Sequence, residues 1–171
     1  MKIRLMPGLT ALLVACGLAP VQAHEPGRPA PALLPAAQQV DAIRVYKAQR
    51  RLDLLRGGRV IATYRVVLGG DPVGHKRQQG DQRTPEGDYR ITYRNDHSRF
   101  HLSLRISYPD GADRRQAVAR GVDPGGDIMI HGATPPGSRT DWTEGCIAVS
   151  LPAMRRILKV ARRGAVVRVI G

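Results

Sequence analysis

Aromatic residues are scarce in this chain of 171 residues, which contains one Phe, one Trp and five Tyr. Acidic residues are also few, with 14 Asp and Glu against 27 Lys and Arg, and the isoelectric point is near 11.0. Proteins that bind nucleic acids usually combine basic residues with aromatic side chains that stack on bases. The composition therefore does not favour a nucleic acid as the partner of this basic chain.

Two common kinds of enzyme site are missing from the sequence. The five histidines are dispersed and the chain has two cysteines, whereas a zinc site needs three or four clustered ligands. The sequence contains no Gly-x-Ser-x-Gly segment, which serine hydrolases use to present their nucleophile. We expect neither a metal site nor a serine nucleophile.

Long apolar runs are confined to the first 23 residues, which predict a signal peptide. Lys2 and Arg4 precede the apolar segment Leu9–Ala19, and Val21-Gln22-Ala23 fits a small-x-small cleavage site. The segment is too short for a membrane-spanning helix. A second interpretation stays open, because Leu13-Val14-Ala15-Cys16 resembles a lipobox in which Cys16 would be acylated. Both interpretations predict export to the periplasm or cell envelope.

Removal of the signal would lower the formal charge from +13 to +11, because Lys2 and Arg4 leave with it. In the envelope, the expected partners of such a charge are anionic: wall polymers, lipopolysaccharide or acidic phospholipid. Contact with a membrane is expected if Cys16 is lipidated. A solvated arginine-rich surface without a specific partner explains the charge equally well.

The remaining chain predicts a tether over residues 24–40 and one domain over residues 41–171. The tether is rich in Pro and Ala, and the domain begins where strand patterns begin. A strand pattern starts at Ile43 and continues to Leu55, Gly57-Gly58 supplies a hairpin turn, and a second strand covers Val60–Leu68. Further strands are predicted at Tyr89–Tyr93, Phe100–Tyr108, Gly125–Ile130 and Ala165–Ile170, and helices at Asp113–Arg120 and Leu151–Arg163. The fold class is mainly antiparallel β with one or two helices.

Cys146 is the cysteine that remains in the predicted domain. An unpaired cysteine in an oxidising compartment is a liability unless it is used, and a thiolate nucleophile needs a base or a positive field. His131, 15 residues upstream, is the candidate base if the intervening loop folds back. Gly145 permits close backbone approach, and the Cys146 amide suits an oxyanion hole. The alternative is a buried cysteine that acts as a small apolar residue.

Several segments together resemble the YkuD-type L,D-transpeptidase catalytic domain over residues 41–171. His131-Gly132 and Thr143-Glu144-Gly145-Cys146 match the family's two active-site motifs. The loop Gly80-Asp81-x-Arg83-Thr84-Pro85-Glu86-Gly87-x-Tyr89 is similar to a family loop, and Ser107-Tyr108-Pro109-Asp110 and Asp141-Trp142-Thr143 are similar to forms found in one branch. The resemblance implies a β-sandwich-like sheet with a helix beside the active-site groove.

The resemblance also implies roles for individual residues. Cys146 would be the nucleophile and His131 the general acid and base, oriented by the carbonyl of Gly132. Thr143, Gly145 and the Cys146 amide would shape the oxyanion hole. Trp142 is either a packing residue or a wall of the substrate groove, and Arg139 and Glu144 are further candidates for this groove.

Two positions depart from the common family pattern. Glu144 stands where many members have His, and Ala148 lies near a position that is often Arg or Asn. A carboxylate at residue 144 would raise the pKa of the Cys146 thiol unless a cation such as Arg139 offsets it.

The implied reaction is acyl transfer on peptidoglycan stem peptides, without a metal or organic cofactor. Cys146 would attack the carbonyl at the L-centre of the third residue, the terminal D-alanine would leave, and an amine would resolve the thioester. Two alternatives stay open: water resolves the same thioester, giving a carboxypeptidase, endopeptidase or amidase, or the fold survives as a wall-binding module without chemistry.

Overall fold

The computed structural model describes residues 30–98, 101–133 and 140–171, so the predicted signal segment and Arg139 lie outside the described residues. In this part of the chain, strands and helices follow one another as β1 (Val40–Tyr46), β2 (Arg51–Arg56), β3 (Arg59–Arg65), β4 (Gly87–Ser98), β5 (His101–Ile106), α1 (Gly111–Arg120), β6 (Met129–His131), β7 (Ile147–Ala148), α2 (Leu151–Val160) and β8 (Ala161–Ile170). None of the helices in these ranges is long and apolar enough to cross a membrane.

The strands form one curled sheet in the order β3-β2-β1-β8-β4-β5-β6-β7. Most neighbours are antiparallel, whereas β1 with β8 and β6 with β7 are parallel. β3 and β7 lie at opposite ends of this order, yet Val67, just after β3, pairs with Ala148 of β7. The sheet therefore folds back on itself, and the predicted mainly-β class with two helices is confirmed.

The interior of the curled sheet holds the hydrophobic core, which α2 closes. Along β1 and β8, alternate residues point inward, as in the buried pairs Ile43 with Val167 and Val45 with Val169. α2 buries Met154, Ile157 and Leu158, whose spacing of three and four residues makes one helical face.

Helix α2 begins as the sequence predicts but ends earlier. Ser150 caps its first turn by accepting a hydrogen bond from the Ala153 N–H, and Pro152 occupies an early position where its missing N–H costs little. The prediction that the helix reaches Arg163 is wrong, because β8 begins at Ala161, which pairs with Val40. Tertiary strand pairing overrides the local helical pattern here.

Two strand boundaries also differ from the sequence prediction. The pattern from Ile43 to Leu55 is divided by a turn at residues 47–50, in which Arg50 adopts a positive φ of 49°. The strand predicted to reach Leu68 ends at Arg65, because Val66 N donates to the Arg50 carbonyl and the chain then crosses towards β7. Alternation of apolar residues does not reveal where a strand changes its partner.

Residues 30–39, part of the predicted tether, lie against the domain. Leu34 N donates to the Lys159 carbonyl at 2.8 Å, and Arg94 Nη2 donates to the Pro31 carbonyl at 3.4 Å. A short 3-10 turn covers Ala36–Gln38 before β1 starts at Val40. The division of the chain into signal, tether and domain remains a prediction.

Candidate active site

The pairing of β6 with β7 brings the two predicted catalytic residues into the same region. Ile130 pairs with Ile147 and His131 with Ala148, and Val149 N donates to the His131 carbonyl at 2.9 Å. Cys146 immediately precedes β7. Because side chains alternate along a strand, Cys146 belongs to the same side of this ladder as Ala148 and its partner His131. Ala148 itself is fully buried.

Cys146 and His131 open into one groove with a cavity volume of about 970 Å³. Most of the predicted site residues border it, together with residues that the sequence did not single out. The lining includes Lys76, Gln79, Gln82, Asp127, Met129, His131, Trp142, Thr143, Glu144 and Cys146.

The imidazole of His131 is held in one orientation. Its Nδ1 lies 2.5 Å from the Gly132 carbonyl oxygen, and the side chain is almost completely buried. A carbonyl oxygen only accepts, so Nδ1 carries the proton and Nε2 has the lone pair that a general base needs. The Trp142 indole meets the imidazole edge-on, with ring centroids 5.9 Å apart. The Gly132 carbonyl therefore contacts the imidazole as expected, and its role in catalysis stays a prediction.

Trp142 borders the groove and is not buried in the core, while a role in substrate contact stays a prediction. Its side chain is 42% exposed and borders the cavity. Its backbone is nevertheless well anchored, because the N–H groups of Trp142 and Thr143 both donate to the Leu68 carbonyl, at 3.2 and 3.0 Å.

The turn that carries Cys146 is organised by Thr143 and Gly145. The buried Thr143 hydroxyl donates to the Cys146 carbonyl at 2.7 Å and accepts from the Gly145 N–H at 3.2 Å. Gly145 has φ of +120°, and a Cβ there would lie 2.6 Å from the Arg83 carbonyl oxygen. Gly145 thus shapes the loop through its conformation, while its N–H is used by Thr143.

The surroundings of the Cys146 thiol disfavour a resting thiolate. Burial raises the pKa of the thiol; a hydrogen bond from the Met129 backbone opposes this, the carboxylates of Asp127 and Glu144 raise the pKa further, and Lys76 lowers it. Sγ also lies 3.6 Å from the Asp127 carbonyl oxygen. The thiol therefore needs a base when it reacts. The effect expected of Glu144 is present, whereas Arg139 lies outside the described residues.

Lys76, which borders the groove, forms a partly buried ion pair with Asp81 within the loop that precedes β4. Lys76 Nζ donates to Asp81 Oδ1 at 2.8 Å and to the Gln78 carbonyl at 3.0 Å, and its side chain is 3% exposed. Asp81 also accepts from the N–H groups of Arg77, Gln78 and Arg83. Burial alone would raise the pKa of Asp81, but these donors lower it to about 2.

Sequence reasoning missed Asp127, Met129 and Lys76 as groove residues. Lys76 had a local signal, since it lies in a short basic stretch between two Gly-rich loops, and Gly125-Gly126 precedes Asp127. Neither signal indicates proximity to Cys146, which is a property of the folded chain. Among the described residues, no cluster of three or more His, Cys, Asp or Glu side chains is arranged to hold a metal ion.

The described residues form a curled, mainly-β domain whose sheet brings a Gly-Cys turn and a His-Gly strand end to one groove. The sequence model of YkuD, the L,D-transpeptidase catalytic domain, matches residues 40–169. The chain therefore belongs to the YkuD family of L,D-transpeptidase catalytic domains, as its motifs predicted, and is an enzyme at the level of its family.

A curated relative is the putative L,D-transpeptidase YafK of Escherichia coli K12. It is 33% identical over 97 residues, which cover 53% of this chain and 37% of the relative. The chain thus matches YafK over little more than a third of that protein's length.

Solved structures share the fold. The helical cell shape determining protein Pgp2 of Campylobacter jejuni superposes with a TM-score of 0.61 at 24% identity, covering 84% of this chain and 51% of Pgp2. Bd1075 of Bdellovibrio bacteriovorus gives a TM-score of 0.56 at 22% identity over 82% of this chain and 51% of its own. An L,D-transpeptidase from Stackebrandtia nassauensis gives 0.54 at 14% identity over 80% and 58%. The chain spans about half the length of these proteins.

Proposed function

We propose that this protein is an exported L,D-transpeptidase that transfers acyl groups between peptidoglycan stem peptides through a thioester on Cys146. The observation that carries the proposal is the β6–β7 register, which pairs His131 with Ala148 and so brings His131 and the Cys146 turn to one groove. Membership of the YkuD family supports the substrate class.

In the first half of the reaction, Cys146 attacks the carbonyl carbon at the L-centre of the third stem residue. His131 Nε2 takes the thiol proton during the attack, since the raised pKa of Cys146 leaves little thiolate beforehand. The C–S bond forms, and the tetrahedral oxyanion faces the Cys146 amide. The imidazolium then returns its proton to the amine of the terminal D-alanine as the C–N bond breaks.

In the second half, an amine of an acceptor attacks the thioester carbonyl. His131 accepts a proton from the attacking amine and gives it to the Cys146 sulfur as the C–S bond breaks. The orientation of Nδ1 towards the Gly132 carbonyl keeps Nε2 directed at the exchange throughout both halves.

The test is incubation of the purified protein with disaccharide-tetrapeptide muropeptides, with products identified by mass spectrometry. Cross-linked dimers that lack one D-alanine support transpeptidation. Disaccharide-tripeptides without dimers would show that the protein is a hydrolase in which water resolves the same thioester. Unchanged muropeptides would contradict both.

A Cys146→Ala variant provides the control, since it should give no product while retaining the thermal unfolding transition of the parent. A carbapenem supplies an independent acyl donor, and its mass should add to Cys146 alone. An adduct on another residue, or turnover by Cys146→Ala, would remove the nucleophile assignment.

A further inference from the structure

Four exposed basic side chains lie within eight residues of one another where α2 passes into β8. Arg156 and Lys159 lie one helical turn apart on the outer side of α2, and Arg162 and Arg163 follow directly. All four are exposed, and the sequence contains no acidic residue after Glu144. We call Arg156, Lys159, Arg162 and Arg163 the α2–β8 basic surface.

The two arginines protrude because β8 is bulged at this point. Val40 pairs with Ala161 and Ala42 with Val166, so residues 162–165 oppose the single residue Asp41 of β1. Gly164 in the bulge has a positive φ of 82°, and its carbonyl accepts a hydrogen bond from Arg90 Nη1 at 3.1 Å. Arg90 thereby adds a fifth cation at the base of the bulge.

The charge of this surface is not neutralised by the protein. Some other basic side chains of the described surface pair with carboxylates, as in Arg168 with Asp88 and Arg83 with Asp71. Within the described ranges, no ion pair involves any of the four residues of the α2–β8 basic surface. A local excess of positive charge attracts external anions.

The N-terminal segment joins the domain beside the same surface. Leu34 N donates to the carbonyl of Lys159, and Arg94 Nη1 donates to the carbonyls of Leu158 and Ala161, at 2.6 and 2.7 Å. Ala30 and Pro31 border a small cavity with Leu158. The described part of the chain therefore begins, at Ala30, beside the end of α2.

We propose that the α2–β8 basic surface docks the domain onto an anionic phospholipid bilayer. The attachment point favours this partner over a wall polymer, because it is the place at which a membrane-proximal N-terminus would hold the domain. Ala30 lies 14 positions after Cys16, a reach of at most about 50 Å. One lipid anchor together with a basic surface gives the two signals that stable membrane attachment requires.

Cleavage after Ala23 would remove the lipid anchor but leave the four basic residues in place, so their own contribution to binding is measurable without lipidation. Each Lys or Arg close to an anionic bilayer strengthens the partition coefficient by about fivefold. Binding through the α2–β8 basic surface would not interfere with the chemistry at Cys146, since none of the four residues borders the catalytic groove.

The test measures co-sedimentation of the mature, non-lipidated protein with vesicles of phosphatidylcholine mixed with phosphatidylglycerol, and with vesicles of phosphatidylcholine alone. Binding is expected to the mixed vesicles and to weaken as salt rises. The variant R156Q/K159Q/R162Q/R163Q should lose roughly two to three orders of magnitude in partition coefficient.

The matched control R59Q/R65Q/R114Q/R115Q removes the same charge from exposed residues outside the α2–β8 basic surface and should bind nearly as the parent does. Equal losses of partition coefficient in both variants would show that binding depends only on net charge, which would overturn the proposal. Binding to purified wall sacculi without binding to mixed vesicles would overturn it in favour of a wall polymer. Retained carbapenem acylation at Cys146 shows that each variant is folded.

Discussion

The carboxylate of Asp141 links the active-site loop to the turn between β1 and β2 by pairing with Arg50. Asp141 Oδ2 accepts from Arg50 Nη2 at 2.6 Å and from Nε at 2.9 Å. Its Oδ1 accepts from Leu68 N at 2.8 Å. The Leu68 carbonyl in turn accepts from the N–H groups of Trp142 and Thr143. The Asp141 carboxylate and Leu68 therefore hold residues 141–143, which lead to the nucleophile, against the chain that follows β3.

Asp141 therefore acts as a positioning residue, and its loss should affect both stability and acylation. Asp141→Ala leaves the Leu68 N–H and the Arg50 guanidinium without their acceptor, which should cost about 1–3 kcal/mol in the free energy of unfolding. The acylation rate of Cys146 by a carbapenem should fall with it. Asp141→Asn keeps an acceptor for Leu68 N and should retain more activity than the alanine variant.

The matched control is Asp88→Ala, which breaks the exposed pair with Arg168 and should change little, as exposed ion pairs contribute little. Equal acylation rates for the parent and Asp141→Ala would show that the loop keeps its position without this carboxylate.

The reactivity of Cys146 should depend on pH through a thiol pKa that burial raises and that neighbouring charges shift further. Because the pKa of the thiol is raised, alkylation by iodoacetamide should increase with pH up to values above the usual cysteine range of about 8.5. Glu144→Gln removes a negative charge and should lower the midpoint, whereas Lys76→Met removes a positive charge and should raise it. Asp88→Asn, outside the groove, should leave it unchanged. A midpoint that Glu144→Gln does not move would contradict the electrostatic account.

His131 should matter most where the thiol is protonated. Replacement of His131 by Ala should slow acylation by about 10²–10⁴ at neutral pH, because no other group takes the proton. The deficit should shrink as pH rises through the pKa of the Cys146 thiol, since the thiolate then forms without a base.

A rate deficit that stays constant at all pH values would indicate that His131 only supports the structure. His75 serves for comparison, because its Nδ1 accepts from Glu86 N and its Nε2 contacts Asp113, outside the groove. His75→Gln should alter stability without producing this pH-dependent deficit.

Gly145 should tolerate no side chain. A Cβ would lie 2.6 Å from the Arg83 carbonyl oxygen, and φ of +120° is unfavourable for any L-residue. Gly145→Ala should destabilise the fold by roughly 1–3 kcal/mol and abolish acylation by displacing Cys146. Gly121→Ala separates the two causes, because Gly121 also has a positive φ of 67° but open space around its Cβ position. Urea unfolding measures the free energy of unfolding of both variants. Equal losses for Gly145→Ala and Gly121→Ala would exclude a steric contribution at Gly145.

Stability should fall in acid as Asp81 becomes protonated. The folded-state pKa of Asp81 is about 2, below the usual 3.8. The ionised carboxylate therefore stabilises the fold at pH values above the unfolded-state pKa, and this contribution is lost as the pH falls towards the folded-state pKa. The contribution is about 2 kcal/mol, lost between about pH 5 and pH 2. Asp81→Asn should flatten this part of the pH profile of unfolding, whereas Asp71→Asn, which removes an exposed partner of Arg83, should not.

Much of the fold was accessible to sequence reasoning because it depends on local signals. The Gly57-Gly58 turn, the capped start of α2 and the apolar alternation of β1 and β8 are each determined within a few residues. The same holds for the choice of Cys146 and His131, since each is flanked by a glycine and follows or precedes a recognisable strand.

The sequence alone thus determined the secondary-structure class, the motifs and the residue types available for chemistry. The tertiary structure decided which strands are neighbours, how the sheet curls to join Val67 to Ala148, and that Asp127 and Lys76 act on the Cys146 thiol. It also decided where α2 ends and that Arg50 reaches Asp141. The reason is physical: local periodicity reports which side of an element faces the core, whereas these relationships depend on contacts between distant segments that exist only once the whole chain has packed.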